Sequence, residues 1–182
     1  ELEKNIVITQ DAPAAAAMFK AGKVDAAVTW EPDLSSAVTA RGNDAHILIS
    51  TSAATNVIAD ALVARQEIID SAPATLAAFV AGWFDGIDAM KKDPQGTNQL
   101  IGNALKLDEE TVSGMLSGLK LTPFADNAQF FGLTGAKAHF EALFDTAFKI
   151  WRKRGAVTRP VGGREHMEPK FVAALASKYP SH

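Results

Sequence analysis

The order of the secondary-structure signals constrains this chain most, because four short β-type segments come first and helical periodicity follows. The β-type segments are rich in β-branched and apolar residues, and helical spacing of apolar residues runs from Glu67 almost to the end of the 182 residues. Short strands that alternate with helices are typical of βαβ units and a largely parallel sheet. We therefore expect an α/β fold, in which a short, mostly parallel sheet precedes a helix-rich C-terminal half. The predicted strands are 5–9, 24–30, 46–50 and 57–64.

Local signals mark where the predicted helices begin and end. Asp11 and Asp108 are N-cap candidates, because an aspartate can accept a hydrogen bond from an N–H group of the first helical turn. Proline is tolerated in that turn, so Pro32 and Pro94 are expected to open helices, and Gly155 is expected to end the long helix over 135–153. The predicted helices span 13–21, 32–40, 73–90 and 135–153, with others beginning near 94, 108 and 168.

Several predicted helices have apolar faces wide enough to need a sheet or a large partner surface to cover them. The clearest is the helix over 73–90, where Phe79, Trp83 and Phe84 share such a face. Four short strands are too few for this task. We therefore expect part of the sheet to come from residues outside this chain or from a second copy, which makes the chain a fragment of a larger fold and a candidate homo-oligomer.

Composition and residue spacing exclude several functional classes. Hydrophobic residues make up 47% and charged residues 21%, as in ordinary globular proteins, and the net charge is −3. The basic residues form no stripe, so nucleic acid is not expected as a partner. The chain has no cysteine, and its histidines lack metal-ligand spacing. The sequence therefore predicts no catalytic residue, no metal site and no cofactor, and the protein is expected not to be an enzyme.

One stretch carries a family resemblance: Phe19-Lys20-Ala21-Gly22-Lys23-Val24-Asp25-Ala26-Ala27-Val28-Thr29-Trp30-Glu31-Pro32. It resembles the solute-binding proteins of ABC transporters of the nitrate, sulfonate and taurine type, which are type II periplasmic binding proteins. The segments 48–65, 73–90 and 126–132 are also similar to parts of these proteins. Some thiamine-precursor synthases resemble the same family, but they carry a cysteine-containing motif that this chain lacks.

The resemblance implies a two-lobe, periplasmic binding protein-like fold. Residues 1–52 would form the second half of lobe two, and residues 53–182 would form the C-terminal part of lobe one. Such proteins normally carry on the order of a hundred further residues before the position of Ile6, and the chain begins at Glu1 without Met or a signal peptide, as expected of a processed or truncated product. The implied function is the periplasmic or extracytoplasmic solute-binding component of an ABC importer. It would capture a small polar or charged organic molecule between two lobes and deliver it to the transporter's membrane permease.

Trp30, Glu31 and Asp33 are the first candidate ligand-binding residues, because they follow a predicted strand at the end where open α/β sheets place their ligand crevices. A tryptophan can stack on a ligand or make a cation–π contact, and a carboxylate can pair with an ammonium or guanidinium group. Trp30 could instead pack into the core. Glu31 and Asp33 could simply favour the start of the next helix, as acidic residues do without any ligand.

The other candidate ligand-binding residues are Thr51, Asp60 and Asn127. Thr51 begins a polar run with Ser52, Thr55 and Asn56 that could donate hydrogen bonds to a solute or form an ordinary turn. Asp60 interrupts an apolar predicted strand, so it is expected to face a cleft, pair with a cation or make a hinge hydrogen bond.

Asn127 lies beside Phe130 and Phe131, which could line the mouth of the cleft or simply belong to the core. The candidates as a set are acidic and aromatic, which favours a cationic or zwitterionic solute. A helical interaction or scaffold module without a small-molecule ligand is the alternative, in which exposed apolar faces bind a protein partner.

Overall fold

The computed structural model describes residues 2–53 and 58–179, and within these ranges the ordered elements are all helical. The chain divides into two compact units, Glu1–Ala54 with Asn98–Lys120, and Thr55–Thr97 with Leu121–His182. The α-helices are α1 (Ala12–Lys20), α2 (Asp33–Arg41), α3 (Gln66–Ser71), α4 (Pro73–Lys92), α5 (Pro94–Leu105), α6 (Glu109–Ser117), α7 (Phe124–Phe130), α8 (His139–Lys153) and α9 (Lys170–Ala173). Short 3-10 helices span Leu2–Asn5, Gly42–Asp44, Thr51–Ala53 and Gly163–His166.

In the first unit, α1 and α2 pack against each other through small residues. Ala16 and Ala37 are buried, which lets the two helices approach closely. Arg41 fixes the end of α2 on α1, since its Nη1 donates to the Phe19 carbonyl at 3.3 Å and its guanidinium lies 5.4 Å from the Phe19 ring centre. The apolar surface of these helices is therefore used for helix–helix packing.

The α5–α6 corner of the first unit depends on a close backbone approach. The N–H of Leu107 donates to the Gly102 carbonyl at 2.9 Å, and a Cβ on Gly102 would stand 2.8 Å from the Leu107 carbonyl oxygen. Val112 of α6 packs beside this glycine and is fully buried. A side chain at position 102 would therefore force the corner open.

The second unit is built around an aromatic core formed by α4, α7 and the segment that follows α9. Phe84 makes edge-to-face contacts with Phe124 and Tyr179, with ring centres 5.8 Å and 5.5 Å apart. Ala128 and Val172 complete the buried cluster. Aromatic pairs in this geometry add stabilisation beyond the area that they bury.

A second row of rings joins α7 to α8 and to the 3-10 helix Gly163–His166. Phe131 stacks on Phe140 at 6.0 Å, and Phe140 lies 5.8 Å from Phe144 one turn further along α8. Phe144 in turn stacks on His166 at 5.6 Å. These contacts position the 3-10 helix against the first turns of α8.

The predicted α/β fold with a parallel sheet, periplasmic binding protein-like and part of a two-lobe architecture, is wrong, because the described residues contain no strand or sheet and are 60% helical. Irregular and largely exposed backbone replaces the predicted strands, over 5–9, 24–30, 46–50 and 58–64. Asn5 is the last residue of a 3-10 helix, and Val57 lies outside the described residues. A strand is stable only when it pairs with another, and β-branched composition expresses a preference for a packed environment rather than for an isolated strand. The helices that would have covered the sheet, α1 and α2, cover each other instead.

The helix signals performed better than the strand signals. Asp11 caps α1 by accepting a hydrogen bond from the Ala14 N–H at 2.8 Å, and Asp108 caps α6 by accepting one from the Thr111 N–H at 2.8 Å. Both predictions are confirmed. Helix α8 ends before Gly155, as predicted. It begins at His139 rather than near residue 135, because the chain first turns back on itself at Gly132.

Candidate functional site

The junction before α2 carries the most exposed aromatic side chain among the predicted site residues. Trp30 is 65% exposed, and its carbonyl accepts the Leu34 N–H at 2.9 Å, so the residue is anchored through its backbone while the indole is free of the core. The alternative in which Trp30 packs into the core is therefore wrong. The Glu31–Pro32 peptide bond that follows is cis.

The Glu31 carboxylate is held in place by α2. Its Oε2 accepts the Ser35 N–H at 3.1 Å and its Oε1 accepts the Ser35 hydroxyl at 2.9 Å. These two bonds use about half of the acceptor capacity of a carboxylate. Glu31 therefore accepts two hydrogen bonds from the first turns of α2 and keeps further acceptor capacity, with Asp33 in the first turn of the same helix.

Thr51 and the polar run after it give little geometry for a ligand. Thr51 is the exposed first residue of the 3-10 helix Thr51–Ala53. Thr55 and Asn56 lie outside the described residues, as does the side chain of Ser52.

Asp60 and Asn127 belong to the second unit, whereas Trp30, Glu31, Asp33 and Thr51 belong to the first. Asp60 is exposed in an irregular segment, so its expected position within a buried strand is wrong. The Asn127 Nδ2 is engaged locally, since it donates to the Thr122 carbonyl at 3.0 Å and to the Pro123 carbonyl at 3.1 Å. These bonds hold the start of α7 and use the donor that a solute would need.

Two cavities are formed by residues that the sequence did not single out together. One, of about 250 Å³, lies at the α5–α6 corner of the first unit and is lined mainly by amides such as Asn98, Gln99 and Asn103. The other, of about 410 Å³, lies in the second unit beside the first turn of α8. Neither is lined by any of the six predicted ligand-binding residues.

A polar cluster in the second unit links α4 to the segment after α9. Both carboxylate oxygens of Asp85 accept from Lys178 Nζ at 2.8 Å, and Oδ1 also accepts from the Tyr179 hydroxyl. Hydrogen bonds from Lys178 and then from Tyr179 lower the pKa of Asp85, and the Asp85 bond raises the pKa of Lys178. Burial, followed by the bond to Asp85, raises the pKa of Tyr179. Because Asp85 and Lys178 are exposed and next to the aromatic core, the cluster is best understood as a clasp on that core.

Sequence spacing contained no signal for the clasp and only a weak one for the cavity beside the first turn of α8. Lys178 and Asp85 are 93 residues apart, so their pairing depends entirely on tertiary packing. The only local hint at the α8 cavity was Gly162-Gly163, which reads as a flexible turn in sequence but forms the entrance to a 3-10 helix with Gly163 buried.

Among the residues that the structure describes, no three histidine or acidic side chains gather closely enough to hold a metal ion. No helix in that part of the chain is both long enough and apolar enough to cross a membrane. Comparison of the chain with models of protein families, with curated proteins and with solved structures finds no match.

Proposed function

We propose that this protein is the extracytoplasmic solute-binding component of an ABC importer, or a part of one, and that it captures a small charged organic molecule for a membrane permease. The observation that carries the proposal is the junction before α2, where the exposed indole of Trp30 is followed in sequence by Glu31, whose carboxylate is oriented by two hydrogen bonds from Ser35. The same residues, Trp30 and Glu31, lie just before the end of the segment whose sequence resembles such solute-binding proteins. The proposal does not depend on a sheet edge.

The chemistry of the junction favours a cationic or zwitterionic solute. An exposed indole face attracts a cation with about 0.5–1 kcal/mol, and with more when the contact is desolvated. Glu31 and Asp33 add two negative charges within one turn, and neither makes an ion pair within residues 2–53 and 58–179. An ammonium or guanidinium group is therefore the natural partner.

A second candidate function, a protein-interaction module, is favoured by the exposed apolar segments. Ile8, Val28 and Val63 are among the most exposed large apolar residues of the described chain. Large exposed apolar patches mark protein-interaction sites in folded proteins. In this alternative the junction before α2 binds no solute, and a protein partner covers the irregular segments.

The test is a thermal-shift screen against amines, amino acids, sulfonates, nitrate and phosphate. A solute that binds only the folded state stabilises it by about 2.7 kcal/mol when its concentration is 100 times its Kd. The screen is run on the wild type, on Trp30→Ala and on Trp151→Ala. Trp151 is the matched control because it is 54% exposed and is also a tryptophan.

The proposal predicts that an amine or a zwitterion raises the melting temperature of the wild type and of Trp151→Ala but not of Trp30→Ala. Stabilisation by sulfonate or nitrate alone, retained in Trp30→Ala, would contradict it. Absence of any shift, together with concentration-dependent self-association or capture of a defined protein, would favour the interaction module instead.

A further inference from the structure

The cavity of about 410 Å³ in the second unit has the size of a small-molecule site. It is formed where the loop 131–138, the first turn of α8 and the 3-10 helix Gly163–His166 meet. All of its lining residues belong to the second unit, so its geometry is complete within that unit.

One wall of the cavity depends on the absence of a side chain at Gly163. A Cβ on this buried residue would stand 3.0 Å from Phe144 Cβ and 3.1 Å from Glu141 Cα. A side chain at position 163 would therefore crowd α8, and His166 stacks on Phe144 to hold the 3-10 helix there. This approach brings Arg164 and Glu141 to the same cavity.

The loop that contributes to the same cavity depends on Gly132. Gly132 has φ +73°, a conformation that other residues rarely adopt, and its Cβ would stand 2.9 Å from the Ala136 carbonyl oxygen. The tight loop that results carries Lys137 to the rim of the cavity. Two close backbone approaches, at Gly163 and at Gly132, thus build the cavity.

Three charged side chains line the cavity and are not paired with one another. Lys137 and Arg164 carry positive charge and Glu141 carries negative charge, and none of them takes part in an ion pair among the described residues. A site that combines both signs of charge suits a ligand that does the same. Phe131 and Met167 supply apolar surface in the same lining.

We propose that this cavity binds a small zwitterion with an apolar body, of the α-amino acid class. The ligand's carboxylate would pair with Arg164 and Lys137, its ammonium group would pair with Glu141, and its side chain would lie against Phe131 and Met167. A planar guanidinium suits a carboxylate because it can donate two parallel hydrogen bonds. The site is separate from the junction before α2 and does not depend on the function proposed for that junction.

The test uses three matched probes and isothermal titration calorimetry with the full chain. Norleucine carries both charges and a butyl side chain, hexanoate lacks the ammonium group, and pentylamine lacks the carboxylate. The proposal predicts that norleucine binds at least about tenfold more tightly than either of the other two, a difference of about 1.4 kcal/mol. Equal affinities for the three probes, or no heat from norleucine at millimolar concentration, would overturn it.

Variants then assign the binding to the cavity. Gly163→Ala is expected to weaken norleucine binding, because its Cβ would crowd Phe144 and Glu141, and Gly162→Ala is the control, because a Cβ on Gly162 would meet nothing closer than Glu165 Cδ at 4.0 Å. Glu141→Gln should weaken norleucine at least about tenfold while leaving hexanoate unchanged or tighter. Arg164→Gln, a change at an exposed side chain, should weaken norleucine and hexanoate but not pentylamine.

These variants separate the cavity from the junction before α2. Norleucine binding that is unchanged in Gly163→Ala and Arg164→Gln but is lost in Trp30→Ala would overturn the cavity proposal and support the junction instead. Binding that survives Trp30→Ala and is weakened in Gly163→Ala and Arg164→Gln supports the cavity, whatever the junction binds.

Discussion

The aromatic core of the second unit makes a quantitative prediction for Phe84→Ala. Phe84 is 3% exposed and touches the rings of Phe124 and Tyr179. A buried phenylalanine removes about 200 Å² from water, which is worth about 5 kcal/mol at 25 cal/mol per Å². Alanine keeps about 1 kcal/mol of this through its β-carbon, and the extended reference chain overstates the total. The expected loss in the free energy of unfolding is therefore about 3–4 kcal/mol.

Phe79→Ala is the matched control, because it makes the same substitution in the same helix. Phe79 is 58% exposed, so less than half of its surface is removed from water, and the expected loss is about 1 kcal/mol. Both variants are measured by urea unfolding followed by far-UV circular dichroism. Phe84→Leu, expected to cost about 1–2 kcal/mol, gives a value if Phe84→Ala does not fold. Equal losses for the alanine variants at 84 and 79 would refute the assignment of the core.

Three further perturbations test local features. The pKa of Asp85 is lowered from 3.8 by hydrogen bonds from Lys178 and Tyr179. The pKa of Lys178 is raised from 10.5 by its hydrogen bond to Asp85. The stability gained from the clasp is therefore fully present above pH 3.8 and below pH 10.5. It is lost as pH falls through the lowered value or rises through the raised one, and the difference in unfolding free energy between wild type and Asp85→Asn should shrink at both extremes. If the difference in unfolding free energy between the two proteins stays constant from about pH 2 to about pH 12, the range over which acidic and basic side chains titrate, the clasp is contradicted. Asp11→Ala should speed amide exchange in α1 and cost about 1 kcal/mol, whereas Asp11→Asn should not, and equal exchange in the two variants would contradict the cap. Gly102→Ala should destabilise the protein, because the new Cβ would meet the backbone at Leu107. Gly114→Ala, whose Cβ would meet nothing within 4 Å, should stabilise it by about 0.5–1 kcal/mol. Thermal melts measure the two changes, and a change of the same sign in both variants would contradict the α5–α6 corner.

The helices could be predicted because their determinants are local. An aspartate three residues before the N–H that it caps, as at Asp11 and Asp108, is visible in sequence at that spacing. The apolar face of α4 is visible in the same way, and Phe84 and Ile87 are the buried residues of that helix. The start of α8 was placed too early because the turn at Gly132 depends on a close approach to Ala136 and Ala138 that sequence does not show.

The strands were mispredicted because their determinants are not local. The run Ile47-Leu48-Ile49 has strong β preference, yet in the structure these side chains are exposed and the segment has no pairing partner among the described residues. Whether such a run becomes a strand depends on the edge available to it. The same distinction applies to the candidate sites. Trp30 and Glu31 could be grouped from the sequence because they are consecutive, whereas the grouping of Glu141 with Arg164 depends on how α8 packs.

The most direct test of the proposed solute-binding function is a fluorescence titration that reports on Trp30 alone. The chain has three tryptophans, so the double variant Trp83→Phe with Trp151→Phe leaves Trp30 as the only indole. The account predicts that an amine or zwitterion quenches or blue-shifts its emission in a saturable way, and that Glu31→Gln weakens the effect. The central claim would be contradicted if solutes stabilise the protein but the Trp30 emission remains that of an exposed indole in the presence of each of them.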